Sequence, residues 1–228
     1  MTHTLLFKVR LMFLSWPSGD LSSVTNLHLL HLSSTSVLCL CFSDYCHLTL
    51  DPHSAHPRLR LSEDKRTVDL QDSPQSLEDQ DRFTDCRQVL SSSGLRGRCY
   101  WEVQWRGWGV DIAVSYRGIR RRGDNSRFGE NDQSWRLWII QGQCSFRHNK
   151  KTLYETSSRT FSSDLQGLFS GLVGVLLDSE AGALSFFKVD SDGKLSHIYT
   201  FSDSFTEPLF PGFGLRGWWG SSVSLVKV

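Results

Sequence analysis

Cys99-Tyr100-Trp101-Glu102-Val103-Gln104-Trp105 decides the fold. Read at period two, Cys99, Trp101, Val103 and Trp105 fall on one side and Tyr100, Glu102 and Gln104 on the other. That is the pattern of a strand with one face against a core. Val110, Ile112 and Val114 alternate with Asp111, Ala113 and Ser115 in the same way, and Gly107 and Gly109 break the chain between the two runs. A tight hairpin pairing these two strands is the expectation.

Working outward, the runs at 172–177 and 183–189 are each stopped by turn chemistry, Asp178 to Gly182 and Asp190-Ser191-Asp192-Gly193. Further strands are expected at 135–140, 196–201 and 222–228. Only 76–83 offers a short turn of helix. Many short strands and almost no helix in about 180 residues predict an all-β chain folded as a two-sheet antiparallel sandwich.

The whole chain has 228 residues with 25 Lys+Arg and 24 Asp+Glu, a net charge of +1. Such balance excludes a binder steered by polyanions, so neither nucleic acid nor a membrane surface is an expected partner. Residues 1–42 carry only Lys8, Arg10 and Asp20 as charged side chains. The stretch 27–42 is too short and too rich in His, Ser and Thr to span a membrane, so no span is expected. Residues 1–45 read as an atypical leader, disordered or foreign to the native protein, ahead of the folded body.

Six cysteines, at 39, 41, 46, 86, 99 and 144, show no metal-binding spacing, and reduced structural thiols are expected. Cys46, His47, His53 and His56 match no zinc pattern, and neither a nucleophile elbow nor a phosphate-binding loop is present. No catalytic residue, cofactor or metal is therefore assigned.

From here the motifs resemble one family, the B30.2 or PRY-SPRY domain. Cys46-His47-Leu48-Thr49-Leu50-Asp51-Pro52 and Leu59-Arg60-Leu61-Ser62-Glu63-Asp64 resemble the PRY opening. Gly97-Arg98-Cys99-Tyr100-Trp101-Glu102-Val103 resembles the tryptophan-glutamate-valine strand of the SPRY part. Leu176-Leu177-Asp178-Ser179-Glu180-Ala181-Gly182 is similar to a family hairpin, with Ser179 in place of the usual aromatic. Pro211-Gly212-Phe213 and 218–225 are similar to the last strands. The resemblance divides the body into a PRY segment, 46–95, and a SPRY segment, 96–228, forming one bent sandwich of the concanavalin-like type.

The resemblance implies a cytoplasmic, non-catalytic module that binds a protein or pathogen-derived target through loops at one end, in innate immunity or ubiquitin-ligase targeting. Related domains close tripartite-motif ligases, nucleotide-binding immune receptors of fish and butyrophilins. It also implies that the target pocket is lined by 108–111, 138–151 and 213–218. The candidate contact residues are Trp108, Asp111, Arg120, Arg121, Arg122, Trp138, His148, Phe213, Arg216 and Trp218, with Asp111 and Trp138 foremost. On this reading, Ala at Asp111 and Trp138 weakens target binding and leaves the melting temperature nearly unchanged.

Two other readings compete. Residues 96–122 hold seven arginines and two acids, net +5, and 63–85 hold eight acids and three bases, net −5. If Arg120, Arg121 and Arg122 converge with a His in a pocket, a small anionic ligand or a sugar is favoured; if the two stretches merely balance, they are a solvated surface. The chain is otherwise a fragment of a larger RING ligase or immune receptor whose activity lies elsewhere.

Overall fold

The computed structural model describes residues 44–76, 79–217 and 219–227, with the strand backbones Arg10–Leu14 and Ser36–Leu40. In chain order the strands are β1 (Arg10–Leu14), β2 (Ser36–Leu40), β3 (Leu59–Leu61), β4 (Thr67–Leu70), β5 (Gln88–Leu90), β6 (Arg98–Gly107), β7 (Gly109–Ser115) and β8 (Ser134–Ile140). They continue as β9 (Gln143–His148), β10 (Lys151–Glu155), β11 (Phe169–Asp178), β12 (Ala183–Val189), β13 (Leu195–Ser202), β14 (Phe210–Arg216) and β15 (Ser222–Leu225). β1 and β2 pair with each other. The rest form a six-stranded sheet, β10-β9-β8-β7-β14-β5, and a seven-stranded sheet, β13-β12-β11-β6-β15-β4-β3. Helical structure among the described residues amounts to short 3-10 turns such as Asp124–Ser126. The 79–83 part of the expected helical turn is irregular, and Leu77 and Glu78 lie outside the described residues.

The inward faces are those the alternation predicts. Trp101, Val103 and Trp105 of β6 meet Val110, Ile112 and Val114 of β7 and Trp135, Leu137 and Ile139 of β8 in one buried cluster. Each fully buried Leu, Val or Phe there contributes about 1.5–3 kcal/mol relative to an exposed one. Phe146 anchors one end, packed on Phe186, Tyr199 and Phe201 at centroid distances of 5.0–5.8 Å.

Three expectations are corrected. β6 and β7 do not pair: β6 lies between β11 and β15, and β7 between β8 and β14. Gly107 adopts φ 142°, a backbone state open to glycine, and with Trp108 carries the chain from one sheet to the other. Nor is the outer face of the six-stranded sheet solvated along β7, which is buried at every position. Loop residues Phe83, Ile119 and Phe128 cover it, against Leu90 and Ala113. Lastly, Cys46 and Cys99 are not free thiols but a disulfide bridging 53 positions, with Cα atoms 5.7 Å apart; Cys86 and Cys144 are free. Ser179 earns its place in the β11–β12 turn by accepting a hydrogen bond from Gly97 N at 2.7 Å.

The acidic and arginine-rich stretches meet as a cover over the sheet. Arg117 bonds Asp51 at 2.8 Å and approaches Asp81 at 3.5 Å, and Arg121 lies over the Phe83 ring at 4.8 Å. Buried Gln88 clamps the cover, donating to Ser126 O and accepting from Phe128 N.

Candidate functional site

Where the cover stops, the outer face of the six-stranded sheet carries a charged and aromatic network. Strand alternation puts Asp111 (β7), Arg136 and Trp138 (β8), Arg147 (β9) and Arg216 (β14) on this face, and register sets Asp111 opposite both Trp138 and Gly214. Glycine at 214 is a spatial need: a Cβ there would stand 2.8 Å from Asp111 Oδ2. Glycine at 212 makes the same kind of room for Phe128, where a Cβ would stand 2.6 Å from the ring. One strand thus hosts both the cover and the charged site.

Asp111, 3% exposed, accepts two hydrogen bonds from Arg216, Nε at 3.3 Å and Nη2 at 3.0 Å, while Arg136 Nη1 lies 3.5 Å away. Arg136, 1% exposed, donates to Glu130 Oε1 at 3.0 Å, and Arg147 reaches the same oxygen at 2.7 Å. Two-point arginine–carboxylate geometry fixes orientation as well as charge. The half-buried Trp138 ring has the Arg136 and Arg216 guanidinium carbons 5.1 and 5.2 Å from its centroid, within cation–π range. Burial draws the Arg136 guanidinium below its ordinary value against the pull of Asp111. For Arg216 the charge and hydrogen bonds of Asp111 outweigh burial and hold it above. The five groups sum to +1 and are rigid, since four of them sit on strands.

A cavity of about 340 Å³ opens beside this network, lined among others by Arg87, Trp108, Asp111, Arg127, Arg216 and Gly217. The end of the sandwich beside it carries apolar side chains. Trp219 is 71% exposed two positions past Gly217, and Leu165 protrudes from the turn before β11, a turn pinned by Arg106 on Asp164 at 2.9 Å. Arg106 pairs in register with both Ser170 and Ser222, so the two loops share the end of the fold where Trp108 turns between sheets.

Of the ten residues predicted from sequence, the structure gathers Trp108, Asp111, Trp138 and Arg216 at the network and its cavity. The arginine triplet lines no part of that cavity. Arg120 and Arg122 are exposed, while Arg121 donates to the backbone carbonyls of Asp81, Ile119 and Arg117. His148 faces inward, stacked on Trp135 at 4.8 Å and 3°, and Phe213 is core at 1% exposure. Trp218 lies outside the described residues. Arg136, Glu130, Arg147, Arg87 and Arg127 were not singled out. The alternation of 134–140, which puts Arg136 on the face of Trp138, was the available signal for the first.

Burial pushes the Cys144 thiol up to about 11, which keeps it protonated. Among the described residues no cluster of His, Cys, Asp or Glu is arranged to hold a metal, and no helix is long and apolar enough to cross a membrane.

Comparison with known proteins agrees with this architecture. The SPRY-associated domain, PRY, matches residues 48–95 and the SPRY domain matches 98–227. Stonustoxin subunit beta of Synanceia horrida is 35% identical over 172 residues, covering 74% of this chain and 23% of the toxin subunit. Tripartite motif-containing protein 14 of Mus musculus is 37% identical over 197 residues, covering 79% of this chain and 39% of that protein. The chain thus spans about a quarter of the toxin subunits it resembles. Among solved structures, the TRIM65 PSpry domain superposes with a TM-score of 0.68 at 26% identity, covering 82% of this chain and 93% of that one. A stonustoxin structure gives 0.65 at 32% identity, covering 80% and 27%.

Proposed function

The chain belongs to the SPRY domain family, with a PRY segment ahead of the SPRY part, and on that premise we propose that it recognises a protein target without catalysis. The recognition surface comprises the cavity and the apolar loop tips at the Trp108 end of the sandwich. The observation that carries this reading is the juxtaposition of a strand-held network, Asp111, Arg136, Trp138 and Arg216, with a cavity and exposed Trp219 and Leu165. A rigid surface loses little ordering entropy on docking, and aromatic anchors in such positions dominate interface energetics.

The setting expected from the family, cytoplasmic recognition in innate immunity or ubiquitin-ligase targeting, is part of this proposal, and the likeness to a tripartite-motif protein supports it. The Cys46–Cys99 disulfide favours a second reading of the compartment, an oxidising one, because such bonds are rare where glutathione keeps thiols reduced. The test of recognition is a display screen of folded proteins against the full chain, followed by affinity measurement with Trp219→Ala and Trp108→Ala. Partners should lose about tenfold or more with each, at unchanged melting temperature for the exposed Trp219→Ala. Glu180→Lys, in the exposed β11–β12 turn at the opposite end of the sandwich, should leave affinity alone. Partners equally sensitive to Glu180→Lys, or indifferent to both tryptophans, would move the interface elsewhere.

A further inference from the structure

The carboxylates lining the cavity are engaged within the chain. Asp111 holds Arg216 and Arg136, and Asp85 accepts Thr84 Oγ1 at 2.8 Å and Gly123 N at 3.0 Å through Oδ2. Those two bonds hold the Asp85 carboxyl below its usual range. Of the lining arginines, Arg216 is matched to Asp111. Arg87 donates Nη1 to Gly217 O at 3.0 Å, and among the described residues its Nε and Nη2 make no hydrogen bond. Arg127 is exposed and makes no hydrogen bond or ion pair through its side chain among the described residues. Donor capacity on two guanidinium groups, unpaired among the described residues, therefore faces the cavity beside the half-buried ring of Trp108.

We propose that the cavity takes the carboxylate of an Asp or Glu side chain from a partner polypeptide, gripped by Arg127 and Arg87. An apolar neighbour of that residue would lie on Trp219. This assignment rests on the recognition reading above and names its chemistry. A polypeptide suits the site better than a free anion because the exposed apolar groups, Trp219 and Leu165, stand at the same end and have nothing to meet in a small ion. Guanidinium forks favour planar carboxylates over neutral amides, and desolvation at a cavity wall strengthens the preference.

The probe is a random-sequence peptide library panned on the full chain, with inorganic pyrophosphate titrated in parallel. The expected result is an acidic residue recurring beside an apolar one in the selected peptides. Asp→Asn in such a peptide and Arg127→Glu in the protein should each weaken binding about tenfold or more. Pairing Arg127→Glu with a Lys at the acidic position should restore part of that loss. Selected peptides without an acidic residue, or binding indifferent to Arg127→Glu, overturn the carboxylate assignment and leave recognition standing. Saturable pyrophosphate binding with no selected peptide overturns both.

Discussion

Asp111→Ala should unfold the domain more readily, contrary to the sequence expectation that it acts on binding alone. Asp111 is 3% exposed and Arg136 1%, so removing the carboxylate leaves a buried guanidinium whose remaining acceptor among the described residues is Glu130, already shared with Arg147. Breaking a buried pair from one side costs about 3–5 kcal/mol. Arg216 is 19% exposed and can turn to water, which places the expected loss near the lower end, about 3 kcal/mol. For a domain of this size that is a fall in melting temperature of roughly 6–12 °C. Urea unfolding followed by tryptophan fluorescence reads the difference directly. Asp111→Asn keeps the shape and one acceptor oxygen and should lose less. The decisive variant is Asp111→Ala combined with Arg136→Met, which removes the stranded charge and should recover much of the loss, giving a coupling energy outside additivity. If Asp111→Ala loses under about 1 kcal/mol, or the double variant is no more stable than the single, the network is not holding the fold and the reasoning fails.

Two further outcomes are expected. Burial lowers the His197 pKa to about 4 from 6.5, so between these values the unfolded chain binds more protons than the native one. Stability should be full above pH 6.5 and fall by about 1–3 kcal/mol as pH drops toward 4, and His197→Gln should flatten that slope in pH-dependent urea titrations; an unchanged slope would refute it. The Cys46–Cys99 bond closes a span of 53 positions, for which chain entropy gives about 4 kcal/mol. Dithiothreitol should lower the urea midpoint of the native protein and leave that of the Cys46→Ser, Cys99→Ser double variant unmoved. Alkylation mapping of both cysteines from cells decides the compartment: free thiols there would sink the oxidising reading.

Period-two alternation carried the inner faces, because a one-residue slip would turn Trp101 and Trp105 out to water. It did not carry which strands pair. β6 and β7 are separated by Trp108 alone and look like a hairpin, but at Gly107 the chain passes between the sheets and a local pattern holds no record of that crossing. The disulfide was hidden for a similar reason: Cys46 and Cys99 have no spacing signal, and only the fold brings them together. Phe213 was misplaced where alternation was legible, since it shares parity with core Leu215 while Gly212 and Gly214 share the outer face.

The site divides between two kinds of position, and that division governs how the protein can change. Asp111, Arg136, Trp138 and Arg216 stand on strands, and Asp111 and Arg136 are bound into a network whose loss should cost stability. Arg127, Trp108, Leu165 and Trp219 stand on connections, and the exposed ones among them contribute little to the packed core. A substitution at Arg127, Leu165 or Trp219 therefore alters what the surface meets while the scaffold remains, whereas a substitution at Asp111 alters both. Partner choice can drift at the loop tips while the charged face beneath them stays fixed. Paired measurements of affinity and unfolding at Trp219 and Asp111 should separate, one changing affinity alone and the other changing affinity and stability together.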